Sequence, residues 1–205
     1  MKKGERRKLE LLKIAYRLFI SKGYENTSVD EIIEEAGIAK GTYYYYFESK
    51  EQMLEDVIEM MIDTEVETAR LVLGAPIPVE QKIVGIISSI RPTQEESPIE
   101  GLLMKPENAL MHKKTKQKII EKLVPLLTEV VEEGISRGVF DCENIPERVR
   151  FLLILSSETF DESLFGENDI TVFIDMMEKL LGAKAGTMGF VRMLIASENN
   201  DEKEK

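Results

Sequence analysis

Leu9, Leu12, Tyr16 and Phe19 recur at helical spacing, with Ala15 widening the stripe, and predict an amphipathic helix over residues 5–22. Gly23 follows where a helix end favours a left-handed residue. Ser28 and Glu31 have capping-box spacing, so a short second helix begins there and carries Val29, Ile32, Ile33 and Ala36. Gly37 ends it. A third helix opens at Ile38-Ala39-Lys40-Gly41-Thr42 and runs through Tyr43-Tyr44-Tyr45-Tyr46-Phe47. Ser49 and Gln52 repeat the capping-box spacing and start a fourth helix through Met53, Leu54, Val57, Ile58, Met61 and Ile62. It extends to about Leu73, where the run Gly-Ala-Pro-Ile-Pro at 74–78 breaks it. Two short helices about a glycine turn, buttressed by a longer first helix, have the helix-turn-helix layout.

Beyond residue 78 the pattern stays helical. Segments 79–90, 99–111, 114–137, 146–164, 169–181 and 186–196 alternate with short breaks, among them a polar loop at 91–98 holding two prolines. Pro125 falls inside 114–137 and is expected to kink or divide that helix. Pro146 suits the first turn of the next. The end of the chain, 197–205, is almost wholly polar or charged and reads as a disordered tail. The expected fold is therefore all-α. A helix-turn-helix domain occupies 1–50, and the long fourth helix joins it to a larger helical domain over 51–196.

Charge alters this picture more than composition does. The net charge is −11, a poor start for a chain that meets nucleic acid. It is unevenly spread: residues 1–50 hold 10 Lys+Arg and 8 Asp+Glu, a balance of +2, and the rest carry −13. An acidic body stays off phosphate and leaves contact to the weakly basic head. A solvated or heat-adapted surface explains the acidity of the body equally well, but not the asymmetry. The single cysteine, Cys142, excludes an internal disulfide and fits a reducing, cytoplasmic setting. No apolar run approaches bilayer length, and the charged N-terminus is not followed by a secretory core. His112 is the one histidine and has no neighbouring ligand set, so no metal is expected. With no nucleophile–base pair and no phosphate-cradling glycine loop, no catalytic residue, cofactor or enzymatic activity is expected either.

The third helix carries the candidate chemistry. Successive helical positions point about 100° apart, so four consecutive tyrosines cannot all be core. The exposed phenols offer rings to thymine methyls and hydroxyls to phosphate. Lys40 and Thr42 lie at the leading end of that helix, and Lys50 supplies positive charge just beyond it. The plainer alternative is that the tyrosines are packing residues with incidental hydroxyls.

Residues 27–54, TSVDEIIEEAGIAKGTYYYYFESKEQML, resemble the signature of the TetR family of repressors. The matching positions are Thr27, Ser28, Val29, Ile32, Ala36, Gly37, Ile38, Ala39, Gly41, Thr42, Tyr44, Tyr46, Phe47, Ser49 and Lys50, with Met53-Leu54 one place late. The resemblance covers roughly residues 6–54. It implies DNA contacts at Thr27 or Ser28 and at Lys40, Gly41, Thr42, Tyr44, Tyr45, Tyr46 and Lys50. Tyr43 stands at a variable place, where it reads a base or merely covers one. Phe47, Ile38, Val29 and Ile32 are expected to form the small core of the head. Lys2, Lys3, Arg6, Arg7 and Lys8 form either an arm to the DNA backbone or minor groove, or a solvated end.

One such head touches few base pairs, so useful selectivity calls for a two-fold homodimer on operator DNA. The resemblance implies pairing through the last two long body helices, which lie among 114–137, 146–164 and 169–181. Leu152, Leu153, Ile154, Leu155 and Phe160 make 146–164 apolar nearly all round, as an interface helix or an internal core helix would be. It also implies a body pocket for a small effector, with Met104, Met111, Phe151, Met176 and Met177 as candidate lining for an apolar one. The expected function is a cytoplasmic, ligand-released repressor. The alternative is a DNA-binding protein of the same fold governed by a protein partner or serving an architectural role.

Overall fold

In a computed structural model, residues 3–160 and 165–195 are described. Among them every regular element is helical: α1 (Lys3–Lys22), α2 (Val29–Glu35), α3 (Lys40–Tyr46), α4 (Lys50–Leu73), α5 (Val79–Ser89), α6 (Ser97–Leu103), α7 (Ala109–Ser136), α8 (Ile145–Thr159) and α9 (Glu167–Leu181). Residues 191–195 add a helical stretch at the end. The expected tail at 197–205 and Lys2 lie outside the described residues.

The chain forms two compact units. One comprises the residues up to Thr64 together with Pro92–Thr115; the other comprises Glu65–Arg91 and everything from Lys116 onward. Both α4 and α7 contribute to each unit.

In the first unit the buried side chains include Leu11, Leu12, Ala15 and Phe19 of α1, Ile32 of α2, Tyr43 and Phe47, Met53, Leu54, Val57, Ile58 and Ile62 of α4, and Ile99 and Leu102 of α6. Ile32 and Phe47 take their expected core places, whereas Val29 and Ile38 are only half-buried. Ser28 caps α2, its hydroxyl accepting the Glu31 N–H at 3.1 Å, and Gly37 makes the turn to α3 at φ 60°. Ser49 likewise accepts the Gln52 N–H at 3.1 Å at the head of α4. The strip 92–115 is tied to this unit by polar contacts. Tyr16 Oη donates to Glu96 at 3.3 Å, Lys105 pairs with Glu25 at 3.8 Å, and Lys114 pairs with Glu55 at 3.2 Å.

The second unit is built on the middle of α7, which buries Leu123, Val124, Leu126, Leu127, Val130 and Val131. Lys82 of α5 is almost fully buried; its ammonium donates to the Leu73 carbonyl at 2.8 Å and pairs with Glu133 at 2.7 Å. It thus satisfies an open carbonyl at the end of α4. Gly85 lets α5 close on α4, since a Cβ there would stand 2.7 Å from Val72 Cγ1. Glu178 is also buried, its carboxylate accepting the backbone N–H groups of Gly186 (3.0 Å) and Met188 (2.9 Å). Phe160 of the same unit stands edge-on to both Phe165 and Phe173.

Two elements depart from the reading of the chain. Pro125 does not divide its helix: α7 runs unbroken from Ala109 to Ser136. The proline is exposed, so water can serve the carbonyl of Glu121 that loses its N–H partner. Conversely, the single segment expected at 99–111 is broken after Leu103. Lys105 precedes Pro106 and is extended at ψ 139°, as the proline ring demands.

Candidate nucleic-acid interface

Local sequence fixes which tyrosine does what. On α3, Tyr43 points inward and is 0% exposed, while Tyr44 and Tyr45 are 51% and 81% exposed and Tyr46 is half-buried. Tyr43 and Phe47, four apart, share the inner face and pack with ring centroids 5.5 Å apart. The Tyr43 hydroxyl donates to the Ser49 carbonyl at 3.4 Å, and burial pushes it up to about 12. Tyr43 is therefore a core residue of the head and not a base-reading one. An inward ring beside Phe47 is the reason α3 can hold the other phenols outward.

On the outer face stand Tyr44, Tyr45, Gly41 and Lys40, with Thr42 half-buried. Lys40 Nζ lies 3.0 Å from Asp30 Oδ1 of α2, with both side chains well exposed. The Asp30 carboxylate holds the Lys40 ammonium above its usual range. α2 itself is strongly acidic, yet its carboxylates meet cations from both neighbouring helices. Glu31 pairs with Lys22 and Glu35 with Arg17 at 3.6 Å, both on α1, while Asp30 pairs onto α3. Asp30 gave no signal in the sequence. An ion pair between residues ten apart on separate helices leaves no periodicity to detect.

Three expected contacts are placed differently. Thr27 is buried, its hydroxyl donating to the Gly23 carbonyl at 2.9 Å and the Leu18 carbonyl at 3.4 Å, so its side chain serves the α1–α2 turn. Ser28 is exposed but its oxygen is engaged in the cap of α2. The Lys50 ammonium donates to the Tyr24 carbonyl at 2.8 Å and the Thr27 carbonyl at 2.9 Å, and sits 4.0 Å from the centre of the Tyr24 ring. Two of its three donors thus strap the first residue of α4 to the α1–α2 turn. Burial, followed by Glu51, raises the Tyr24 hydroxyl above its usual range.

The basic N-terminal residues are also corrected. Lys3 to Lys8 are neither an arm nor a loose end but the first turns of α1. Arg6 and Arg7 pair with Glu10, Arg7 also donates to the Ala36 carbonyl at 3.3 Å, and Lys8 pairs with Asp56 at 2.7 Å. Arg7 is thereby held against the end of α2 and Lys8 against α4.

Lys50→Ala is expected to cost stability. Two charge-assisted hydrogen bonds to carbonyls of the turn are lost, roughly 1.5–3 kcal/mol. Urea unfolding followed by circular dichroism reads this, and an unchanged midpoint would contradict the strap.

Residues 11–57 match the family described as bacterial regulatory proteins, tetR family. The HTH-type transcriptional repressor KstR2 of Mycolicibacterium smegmatis is 25% identical over 138 residues, covering 65% of this chain and 67% of that protein. The head of the chain, residues 11–57, is of the TetR type. Some relatives match over the head alone. The uncharacterized HTH-type transcriptional regulator YuxN of Bacillus subtilis is 44% identical over 59 residues, which is 29% of this chain and 20% of that one. Among solved structures, RolR without ligand superposes with TM-score 0.60 at 21% identity, covering 92% of this chain and 96% of that one. A transcriptional regulator from Cytophaga hutchinsonii gives 0.57 at 23% identity, over 85% and 95% of the two chains. The TetR-type fold thus extends through the body, and the TetR-type head is a helix-turn-helix DNA-binding domain of a transcription regulator.

The candidate pocket residues fall in both units. Met104 and Met111 belong to the unit containing the TetR head, Met104 exposed and Met111 half-buried; Phe151, Met176 and Met177 belong to the other. Of these, Phe151 is 62% exposed on α8, Met176 is exposed on α9, and Met177 is buried. Among the described residues no cluster of His, Cys, Asp or Glu could hold a metal ion, and no helix is long and apolar enough to cross a membrane.

Proposed function

We propose that this chain is a homodimeric transcriptional repressor that grips two half-sites of operator DNA with its helix-turn-helix heads and is released when a small apolar molecule binds the body. The observation that carries the reading is the outer face of α3. Tyr44 and Tyr45 stand exposed beside Lys40, on a helix whose inner face is fixed by Tyr43 and Phe47. Two exposed phenols beside a lysine suit sugar, thymine methyl and phosphate. Lys40, Gly41, Thr42, Tyr44, Tyr45 and Tyr46 are the contacts, with Ser28 and the third donor of Lys50 on flanking backbone.

The second copy is supported by α8 and α9, which pack together and each keep an apolar outer stripe. Phe151 and Ile154 are one turn apart on α8, and Val172 and Met176 are one turn apart on α9; all four are exposed. We assign Phe151 and Met176 to this dimer face and leave Met177, buried in the second unit, as a candidate for the effector. RolR, of similar fold, has been crystallised with resorcinol; a small molecule of that size is the kind of effector proposed here.

Purified chain is expected to select duplexes with paired half-sites from a randomised DNA pool and to bind them as a dimer by sedimentation. Tyr45→Ala is expected to weaken binding to the selected duplex about tenfold or more at unchanged thermal stability, since the ring touches little of the head. Failure to select any duplex, or full affinity in Tyr45→Ala, would overturn the assignment. Ile154→Lys is expected to yield monomers that bind a half-site weakly.

A further inference from the structure

The Asp30–Lys40 pair is at odds with a surface built only to attract DNA. A carboxylate beside the exposed phenols repels phosphate whatever the base sequence, so it weakens binding to every duplex alike. The other paired acids of α2, Glu31 and Glu35, turn back to Lys22 and Arg17 on α1. Asp30 instead reaches the first residue of the reading helix, and Lys40 shares its face with Tyr44 one turn on. An exposed ion pair adds little stability, so stability does not account for its position.

What the pair offers is a donor and an acceptor held one hydrogen-bond length apart, Nζ to Oδ1 at 3.0 Å, on the outer face. In the major groove a G·C pair presents N7 and O6 of guanine as adjacent acceptors and N4–H of cytosine as a donor. O6 and N4 are hydrogen-bonded partners in that base pair, so they too lie one hydrogen-bond length apart. The Lys40 ammonium has three donors. One is held by Asp30, leaving two for O6 and N7, while the second Asp30 oxygen accepts from N4. An A·T pair offers the ammonium no two adjacent acceptors on one base, and the thymine methyl crowds the O4 edge.

We infer that Asp30 and Lys40 act as one reading unit that specifies a G·C base pair in each half-site, with Asp30 giving up general affinity for selectivity. This rests on the reading of the α3 face as the DNA-binding surface. Asp30 is then a specificity-determining residue that contacts cytosine and also positions Lys40.

The test is sequence selection from a randomised duplex pool by the full-length chain, repeated with Asp30→Asn, Lys40→Gln and Glu35→Gln. Wild type is expected to select one G·C position per half-site with about tenfold preference. Asp30→Asn is expected to lose that preference and keep the rest of the site, while its affinity for mixed-sequence duplex rises a few-fold with a steeper salt dependence. Lys40→Gln is expected to lose the same position, which probes the pair without touching α2. Glu35→Gln removes a carboxylate from the same helix and is expected to leave the base preferences unchanged. If Asp30→Asn and Lys40→Gln select the wild-type site undiminished, the pair is an ordinary surface ion pair and the inference fails alone. If wild type selects no duplex at all, the DNA-binding reading fails, and this one with it.

Discussion

Replacing Gly182 with alanine is expected to lower the stability of the second unit by about 3–4 kcal/mol, near the top of the range for single substitutions. Gly182 closes α9 at φ 65°, a left-handed backbone that costs an L-residue about 1–2 kcal/mol. Space decides the rest. A Cβ at this position would overlap the carbonyl of Asp141, whose own N–H donates to the Leu181 carbonyl at 3.0 Å. The obstructing atom is backbone, so no side-chain rotation can relieve it. Urea unfolding read by far-ultraviolet circular dichroism measures the loss. Gly101→Ala is the counterpart: Gly101 lies within α6 with open space around it, so the same change should stabilise by about 0.5–1 kcal/mol. Equal midpoints for the two variants would show that contacts at Gly182 are looser than described.

The second large effect belongs to Tyr43. Tyr43→Ala removes a fully buried ring from the inner face of α3 and is expected to cost about 3–5 kcal/mol. DNA binding should fail with it, because α3 loses the anchor that orients its outer face. Tyr43→Phe separates packing from chemistry. It gives up only a hydrogen bond to the Ser49 carbonyl, about 1 kcal/mol, and should keep affinity and base preference intact. A loss of base preference in Tyr43→Phe would restore it to the contact surface. The hydroxyl also brings a pH dependence. Its value is about 12 in the folded chain against an ordinary 10, so burial favours the protonated form. Its contribution is complete below pH 10 and is lost as pH rises towards 12, a decline that Tyr43→Phe should blunt.

The residues explain why some of this was legible and some was not. Caps and glycines act locally, so Ser28, Gly37 and Ser49 placed α2, α3 and α4 to within a residue or two. The tyrosine run announced an exposed face, since a seven-residue helix cannot bury four consecutive rings. Which ring turned inward was settled by Phe47 four residues on, and the resemblance alone left Tyr43 open. Lys50 was legible as a charge but not as a strap, because its partners are backbone carbonyls 23 and 26 residues earlier, and carbonyls have no letter in a sequence. The same holds for Asp30. Pro106 and Pro125 show the limit of a local rule: one breaks a helix and the other rides on its exposed side, and only the surroundings distinguish them.

The strip from Pro92 to Thr115 matters for anyone who would recombine this protein. A graft of the head cut within α4 would carry α1 away without the α6 side chains Ile99 and Leu102, leaving Tyr16 and Glu25 without Glu96 and Lys105. The transferable part is discontinuous: two pieces of sequence, separated by α5, inherited together. Chimaeras that exchange only the first fifty residues would place a foreign strip against a native α1 and lose the Tyr16–Glu96 and Glu25–Lys105 contacts.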